Sequence, residues 1–217
     1  MSSTAPRRDA LTIDGPVGQI EALLEAPQVS DNRRVAVLCH PHPLHQGTLM
    51  NKVVHTLSRA MNDLGVPAIR FNFRGVGASE GTFADGMGET DDTLSVIDWA
   101  AERYPGAELC LLGFSFGGMV AARAALLAAP VQLVTVAPAA SRMAGLLDGR
   151  QPECPWLIVQ GETDDVVPCA EVIAWVNGLA PGPELIVVPD TGHFFHGRLT
   201  KLREIVVNHL ETQWGVA

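Results

Sequence analysis

Short runs that are apolar at almost every position, separated by longer segments with helical spacing, set the narrowest limit on what this chain can fold into. The runs are VAVLCH (35–40), VPAIRFNF (66–73), ELCLLGF (108–114), VQLVTVA (131–137), PWLIVQG (155–161) and ELIVVPD (184–190). A strand with one wet face alternates apolar and polar residues. Runs without that alternation need cover on both faces, as in a parallel sheet flanked by helices. Between them, GTLMNKVVHTLSRAMNDLG (47–65) and ETDDTLSVIDWAAERYPG (89–106) have helix length, open with Thr, Asp or Glu and close with Gly or Pro-Gly. Strand and helix alternating in this way predict an α/β fold with a doubly wound, mostly parallel sheet. Ahead of it, LTIDGPVGQIEALLEAP (11–27) reads as two strands around a Gly-Pro turn, an antiparallel hairpin at one edge. No repeat, low-complexity tract or linker divides the 217 residues, so a single domain is expected over 1–217, with residues 1–8 as a flexible tail.

Charge and cysteine usage narrow the partners. A formal net charge of −9 opposes binding to a polyanion, which needs clustered Lys and Arg, so no nucleic-acid partner is expected. The opening MSSTAPRRDA is basic but is followed by no apolar stretch of signal-peptide length, and no run approaches the roughly 20 apolar residues of a membrane span. A soluble cytoplasmic protein with no membrane partner follows as the expectation. Cys39, Cys110, Cys154 and Cys169 form neither a CxxC pair nor a zinc-finger spacing, and the first two sit in apolar runs, so reduced core thiols are expected. An exposed sheet edge could pair with a second copy, and composition does not decide the oligomeric state.

Ligands of a parallel α/β sheet bind outside the carboxyl ends of its strands. Three such ends carry reactive side chains: Ser115 after the 108–114 run, ETDD (162–165) after 155–161, and TGHFF (191–195) after 184–190. Gly113-x-Ser115-x-Gly117 suits a sharp strand-to-helix turn, where side chains flanking the serine would collide with strand or helix. A hydroxyl becomes a usable nucleophile when a neutral imidazole, oriented by a carboxylate, takes its proton. Asp164 or Asp165, and then His193, follow Ser115 in the order this turn requires, each at a later strand end. Asp190 is a third acid candidate, better suited to holding its turn, and His196 is the alternative base. HPHPLHQG (40–47) brings His40, His42 and His45 close in sequence. Residues before proline favour extended backbone, which splays these side chains, so no metal and no cofactor is expected.

With GFSFGG (113–118), GETDDVVP (161–168), GHFF (192–195), CHPHPLHQGT (39–48) and FRGVGASEG (73–81), the chain resembles the α/β-hydrolase superfamily over nearly its whole length. It is most similar to small bacterial serine hydrolases without a lid, which are carboxylesterase-like and related to the dienelactone-hydrolase branch. That branch has cysteine where this sequence has Ser115, and dehalogenases and epoxide hydrolases of the superfamily have aspartate, so ester chemistry is favoured. The resemblance implies an α/β-hydrolase fold with Ser115 as nucleophile, His193 as base and Asp164 as the acid. The acid assignment matches the family spacing at Gly161, Asp164, Val167 and Pro168; Asp165 is left to cap the next helix or face solvent. An oxyanion needs two N–H donors, one from the residue after the nucleophile and one from the loop after the third strand. Phe116 supplies the first. Pro41 and Pro43 have no N–H, which leaves His42 and Leu44; the resemblance favours His42, with Leu44 second.

About 15 residues separate VTVAPAA from PWLIVQG, room for a short helix and not for a lid or cap domain. The site is therefore expected to be open, bordered by Leu44, Phe114, Phe116, Met119, Phe194 and Phe195, each of which could equally be core. Arg74 either shapes the pocket or holds its loop through an ion pair. The resulting expectation is a serine esterase for small or short-acyl carboxylic esters. A thioesterase, amidase or peptidase with the same three residues, or a non-catalytic binding module, are the alternatives.

Overall fold

The computed structural model describes residues 6–30 and 33–215. Eight strands form one sheet: β1 (Arg7–Gly15), β2 (Gly18–Ala26), β3 (Arg34–Cys39), β4 (Ala68–Phe71), β5 (Glu108–Phe114), β6 (Gln132–Val136), β7 (Trp156–Gly161) and β8 (Glu184–Val188). Their order is β1-β2-β4-β3-β5-β6-β7-β8, antiparallel at β1/β2 and β2/β4 and parallel from β4 to β8. The expected edge hairpin is present. It turns at Pro16 and Val17 with Gly15 paired to Gly18. The expected tail lies partly outside the described residues, and Arg7 and Arg8 depart from it: they open β1, where their backbone pairs with Ala26 and Glu25.

Six helices connect and cover the strands: α1 (Lys52–Asp63), α2 (Met87–Arg103), α3 (Phe116–Ala128), α4 (Ala140–Leu147), α5 (Cys169–Asn177) and α6 (Leu199–Trp214). Helix α1 begins later than its Thr48 suggests, because Asn51 Oδ1 accepts from the N–H of Val53 at 2.9 Å and caps the first turn. Glu89 does the same for α2, accepting from the N–H groups of Gly86 and Ala84.

The continuous apolar strand runs have a plain physical cause. Along β3, Val35, Val37 and Cys39 pack into one buried cluster with Val96, Val120 and other residues of α2 and α3, whereas Ala36 and Leu38 pack into a second with α1 and α6. Neither face of β3 meets water, so a polar side chain on either would be buried and would need a partner there. Leu57 and Val54 of α1 and Leu202 and Val206 of α6 are fully buried on the second face, and such side chains contribute about 1.5–3 kcal/mol each. All four cysteines are free, and burial pushes the Cys39 and Cys110 thiols up to about 12. No helix among the described residues is long and apolar enough to cross a membrane. Where a lid would be inserted, between β6 and β7, there is only α4.

Candidate active site

Ser115 stands between β5 and α3 with φ 55° and ψ −119°, a conformation that costs an L-residue about 1–3 kcal/mol and survives only when its surroundings enforce it. They do so through two glycines. A Cβ on Gly113 would lie 2.2 Å from the Gly117 carbonyl oxygen, and one on Gly117 would lie 2.3 Å from that of His40 and 2.4 Å from that of Cys39. The helix thus starts pressed against the end of β3, which forces the serine outward.

The acid and histidine loops follow the neighbouring strands β7 and β8 and are tied together by backbone. Thr163 N–H donates to Thr191 O at 3.0 Å, Glu162 N–H donates to Val188 O, and Asp190 N–H donates to the Glu162 carboxylate. A Cβ on Gly161 would meet Thr191 O at 2.3 Å, so this contact also depends on a missing side chain. Phe195, at φ 53° and fully buried, anchors the histidine loop in the core. These contacts bring Asp164 Oδ2 to 2.8 Å from His193 Nδ1, and His193 Nε2 to 3.1 Å from Ser115 Oγ.

Asp164 and His193 are both buried. Burial pushes the Asp164 carboxyl up, but its hydrogen bonds from His193 and from the N–H groups of Val167 and Val166 outweigh that and hold it below the ordinary carboxylate range. Gln160, unnoticed in the sequence reading, adds another donor: its Nε2 lies 3.0 Å from Asp164 Oδ2. A polar residue inside the run LIVQG was the signal that could have found it. Asp165 is exposed and makes no cap, since α5 starts behind Pro168 without a side-chain cap. Asp190 and His196 are exposed.

The loop after β3 folds back over the elbow. The His40 ring is fully buried: Nδ1 faces the Pro41 carbonyl at 2.6 Å and therefore carries the proton, while Nε2 accepts from Phe73 N–H at 3.1 Å. Burial pushes this imidazole down to about 4, against the opposing pull of the Pro41 carbonyl. The His42 ring packs against Phe116 and Phe83, with centroids 4.8 Å and 5.0 Å apart, and stacks on His45. His40 is thus turned away from His42 and His45, which stack on each other, and no group of three or more His, Cys, Asp and Glu among the described residues could hold a metal ion. Leu44 N–H donates to His42 Nδ1 at 3.2 Å and is committed there. Among the described residues, the N–H groups of Phe116 and His42 enter no turn, loop or cap hydrogen bond, and Phe116, as the first residue of α3, has no intrahelical acceptor.

Three of the expected substrate contacts need correction. Phe114 and Met119 are 0% and 1% exposed and belong to the two core clusters; Phe114 reaches the site only as a ring behind His193, at 5.0 Å between centroids. Arg74 is also withdrawn. Its guanidinium makes a two-pronged pair with buried Asp92, at 3.0 Å and 2.8 Å, and its N–H donates to the same carboxylate. The arginine holds the loop after β4. Phe116 and Phe195 are buried too, which leaves Leu44, 68% exposed, and Phe194, 46% exposed, as apolar surface at the carboxyl edge. Grooves of about 660 Å³ beside Pro155, Pro183 and His209, and about 750 Å³ beside Pro27, Arg103 and Tyr104, lie at the opposite, amino edge of the sheet.

Comparison with known proteins bears on the family and the fold. A family model described as X-Pro dipeptidyl-peptidase (S15 family) matches residues 14–151, a stretch that contains Ser115 but stops before Asp164. A structure from Xanthomonas campestris, XC6422, described as an α/β serine hydrolase without lid, is 38% identical, with 99% of this chain and 98% of that one covered and a TM-score of 0.89. An α/β serine hydrolase homologue from Coxiella burnetii is 42% identical, with 96% and 100% covered and a TM-score of 0.89. The uncharacterized protein RP471 of Rickettsia prowazekii is 31% identical over 208 residues, 92% of this chain and 87% of its own length. With the fold, the absent lid and a match over well more than half of its length, the chain belongs to the S15 family of α/β hydrolases and is of the lidless serine hydrolase type.

Proposed function

We propose that the protein hydrolyses small or short-acyl carboxylic esters through an acyl-enzyme intermediate on Ser115. The observation that carries this reading is the hydrogen-bonded series Asp164–His193–Ser115 mounted on a strained turn. In the proposed mechanism Ser115 Oγ attacks the ester carbonyl carbon while His193 Nε2 takes the hydroxyl proton. The Nδ1 proton stays on His193, and the buried Asp164 carboxylate stabilises the imidazolium. The carbonyl electron pair moves onto oxygen, where the N–H groups of Phe116 and His42 receive it. Collapse breaks the bond to the alcohol, which leaves with the proton from Nε2. Water then attacks the Ser115 ester, its proton passing through His193 to Oγ, and the carboxylic acid departs.

The open site, with Leu44 and Phe194 as its exposed apolar flanks, supports short acyl groups over long ones. Four free cysteines fit the reducing conditions of the cytoplasm, where we place the protein. The description of the S15 family favours one other reading, peptide cleavage by the same three residues. Labelling with a fluorophosphonate, read by intact mass, and turnover of p-nitrophenyl esters of rising chain length test the proposal. One adduct on the native protein, none on Ser115→Ala, and rates falling with chain length are expected. Matched ester, thioester and amide substrates then separate the bond types. Ester turnover unaffected by Ser115→Ala overturns the assignment.

A further inference from the structure

We propose that Gln160 is a positioning residue that sets how strongly Asp164 supports a positive charge on His193, and thereby sets the acid limit of the site's reactivity. The inference rests on the Ser115–His193–Asp164 reading above. Gln160 is the penultimate residue of β7 and is fully buried. Its amide nitrogen has two protons, and both are committed: one to Asp164 Oδ2 at 3.0 Å and one to the Val167 carbonyl at 2.9 Å. The amide orientation is unambiguous, because every group around that nitrogen accepts, including Gly161 O at 3.4 Å. Its oxygen, Oε1, is buried with no partner among the described residues. A buried acceptor left unpaired is destabilising, so Gln160 stabilises nothing through that atom. What the side chain contributes comes from its nitrogen.

The two oxygens of Asp164 are served differently. Oδ1 takes the N–H groups of Val166 and Val167, at 2.9 Å and 2.7 Å, which fix the carboxylate in place whether or not Gln160 is present. Oδ2 takes His193 Nδ1–H and the Gln160 amide. A second donor on Oδ2 draws charge away from the oxygen that faces His193 and so lessens its support of an imidazolium. The charged and titratable groups facing this carboxylate are few. Besides His193 there is Cys169 at the head of α5, whose thiol is pushed up by burial and then by Glu162 and Asp164. Around His193 stand Ser115, Asp164 and the apolar rings of Phe114 and Phe194. Without the Gln160 donor, Oδ2 turns its full charge toward His193 Nδ1, and the acid limb of Ser115 reactivity moves to higher pH.

Gln160→Met keeps the length and volume of the side chain and removes both the donor and the orphaned oxygen. The rate of Ser115 phosphonylation by a fluorophosphonate, measured from pH 4.5 to 9 on native and variant protein, needs no knowledge of the natural substrate. The expected result is an acid limb displaced upward by about half to one pH unit, a three- to tenfold loss on the acid side, with alkaline rates within about threefold of native. In the native protein the Gln160 side-chain amide proton resonances should titrate with the midpoint of that limb, which tests the inference even if the variant does not fold. A uniform loss at every pH with no displacement would make Gln160 a purely structural support, and amide resonances that ignore the limb would overturn the inference equally. Native protein that takes up no phosphonate refutes the underlying reading instead, a different and separable outcome.

Discussion

Replacing Gly117 by alanine tests whether the elbow and the loop after β3 are held by direct backbone contact. The new Cβ would sit 2.3 Å from His40 O and 2.4 Å from Cys39 O, both main-chain atoms that cannot rotate aside. Reaching ordinary contact requires α3 and the end of β3 to separate by about 1 Å, and overpacking of this kind costs about 1–3 kcal/mol. His40 cannot absorb the shift locally, because its ring is fastened to Phe73 N–H and Pro41 O. The displacement therefore passes into the peptide that carries the His42 N–H. A misplacement of about 1 Å at a reacting geometry costs about 100-fold in turnover. Gly118→Ala is the internal control. Its Cβ would find its nearest neighbours at 3.4 Å, on Pro138 and Thr135 side chains, and in a helix it should gain up to about 1 kcal/mol in propensity. Urea unfolding and p-nitrophenyl acetate kinetics on both variants give the comparison. Gly117→Ala should lose stability and most of kcat with little change in KM, while Gly118→Ala keeps both. Equal behaviour of the two variants would refute the contact argument.

Three further outcomes follow from the geometry. Ser115→Gly should melt above Ser115→Ala, because glycine relieves a conformation worth about 1–3 kcal/mol and loses part of that to chain entropy; calorimetry of the two inactive variants decides it. Asp164 is held below its unfolded value in the folded chain, so it stabilises above the ordinary carboxylate range and loses that contribution as pH falls through its folded value; the stability gap between native protein and Asp164→Asn should therefore narrow below about pH 4 in denaturant titrations. Arg74→Ala strands a buried Asp92 carboxylate and should cost about 3–5 kcal/mol, whereas an Arg74→Met, Asp92→Leu double variant should cost clearly less. Since Arg74 faces Asp92, the double variant should keep the native KM for short esters; a large rise in KM would return Arg74 to the substrate.

Strands β3 to β7 were legible because they are buried on both faces, and the hairpin because Gly15 and Gly18 bracket its turn. That Ser115, Asp164 and His193 meet at the carboxyl edge was legible too, since each follows a strand end of a parallel sheet. Phe114 and Met119 were not, because an apolar side chain beside a nucleophile looks the same in sequence whether it faces a cleft or the core. For Phe114 the difference lies in which face of β5 its last residue turns toward. The Arg74–Asp92 pair joins a loop to a helix at no diagnostic spacing. Gln160 and His40 are polar residues within or just beyond apolar runs, a visible oddity whose partners only the fold supplies.

The cross-links around the site divide it into two pieces of machinery. The elbow and the loop after β3 are locked to each other through Gly117, His40 and Cys39, and they contain the oxygen that would attack and the N–H groups that would meet a developing negative charge. The loops after β7 and β8 are locked to each other through Gly161, Thr163 and Thr191, and they contain the groups that would carry the proton. In sequence the two are separated by β6 and α4, and the contact that joins their chemistry is His193 Nε2 to Ser115 Oγ. That bond is a seam between two rigid assemblies. A slight slide of one against the other would leave each internally intact and alter only the gap a proton would have to cross, so in the proposed mechanism proton transfer is the step most exposed to mechanical disturbance of the sheet.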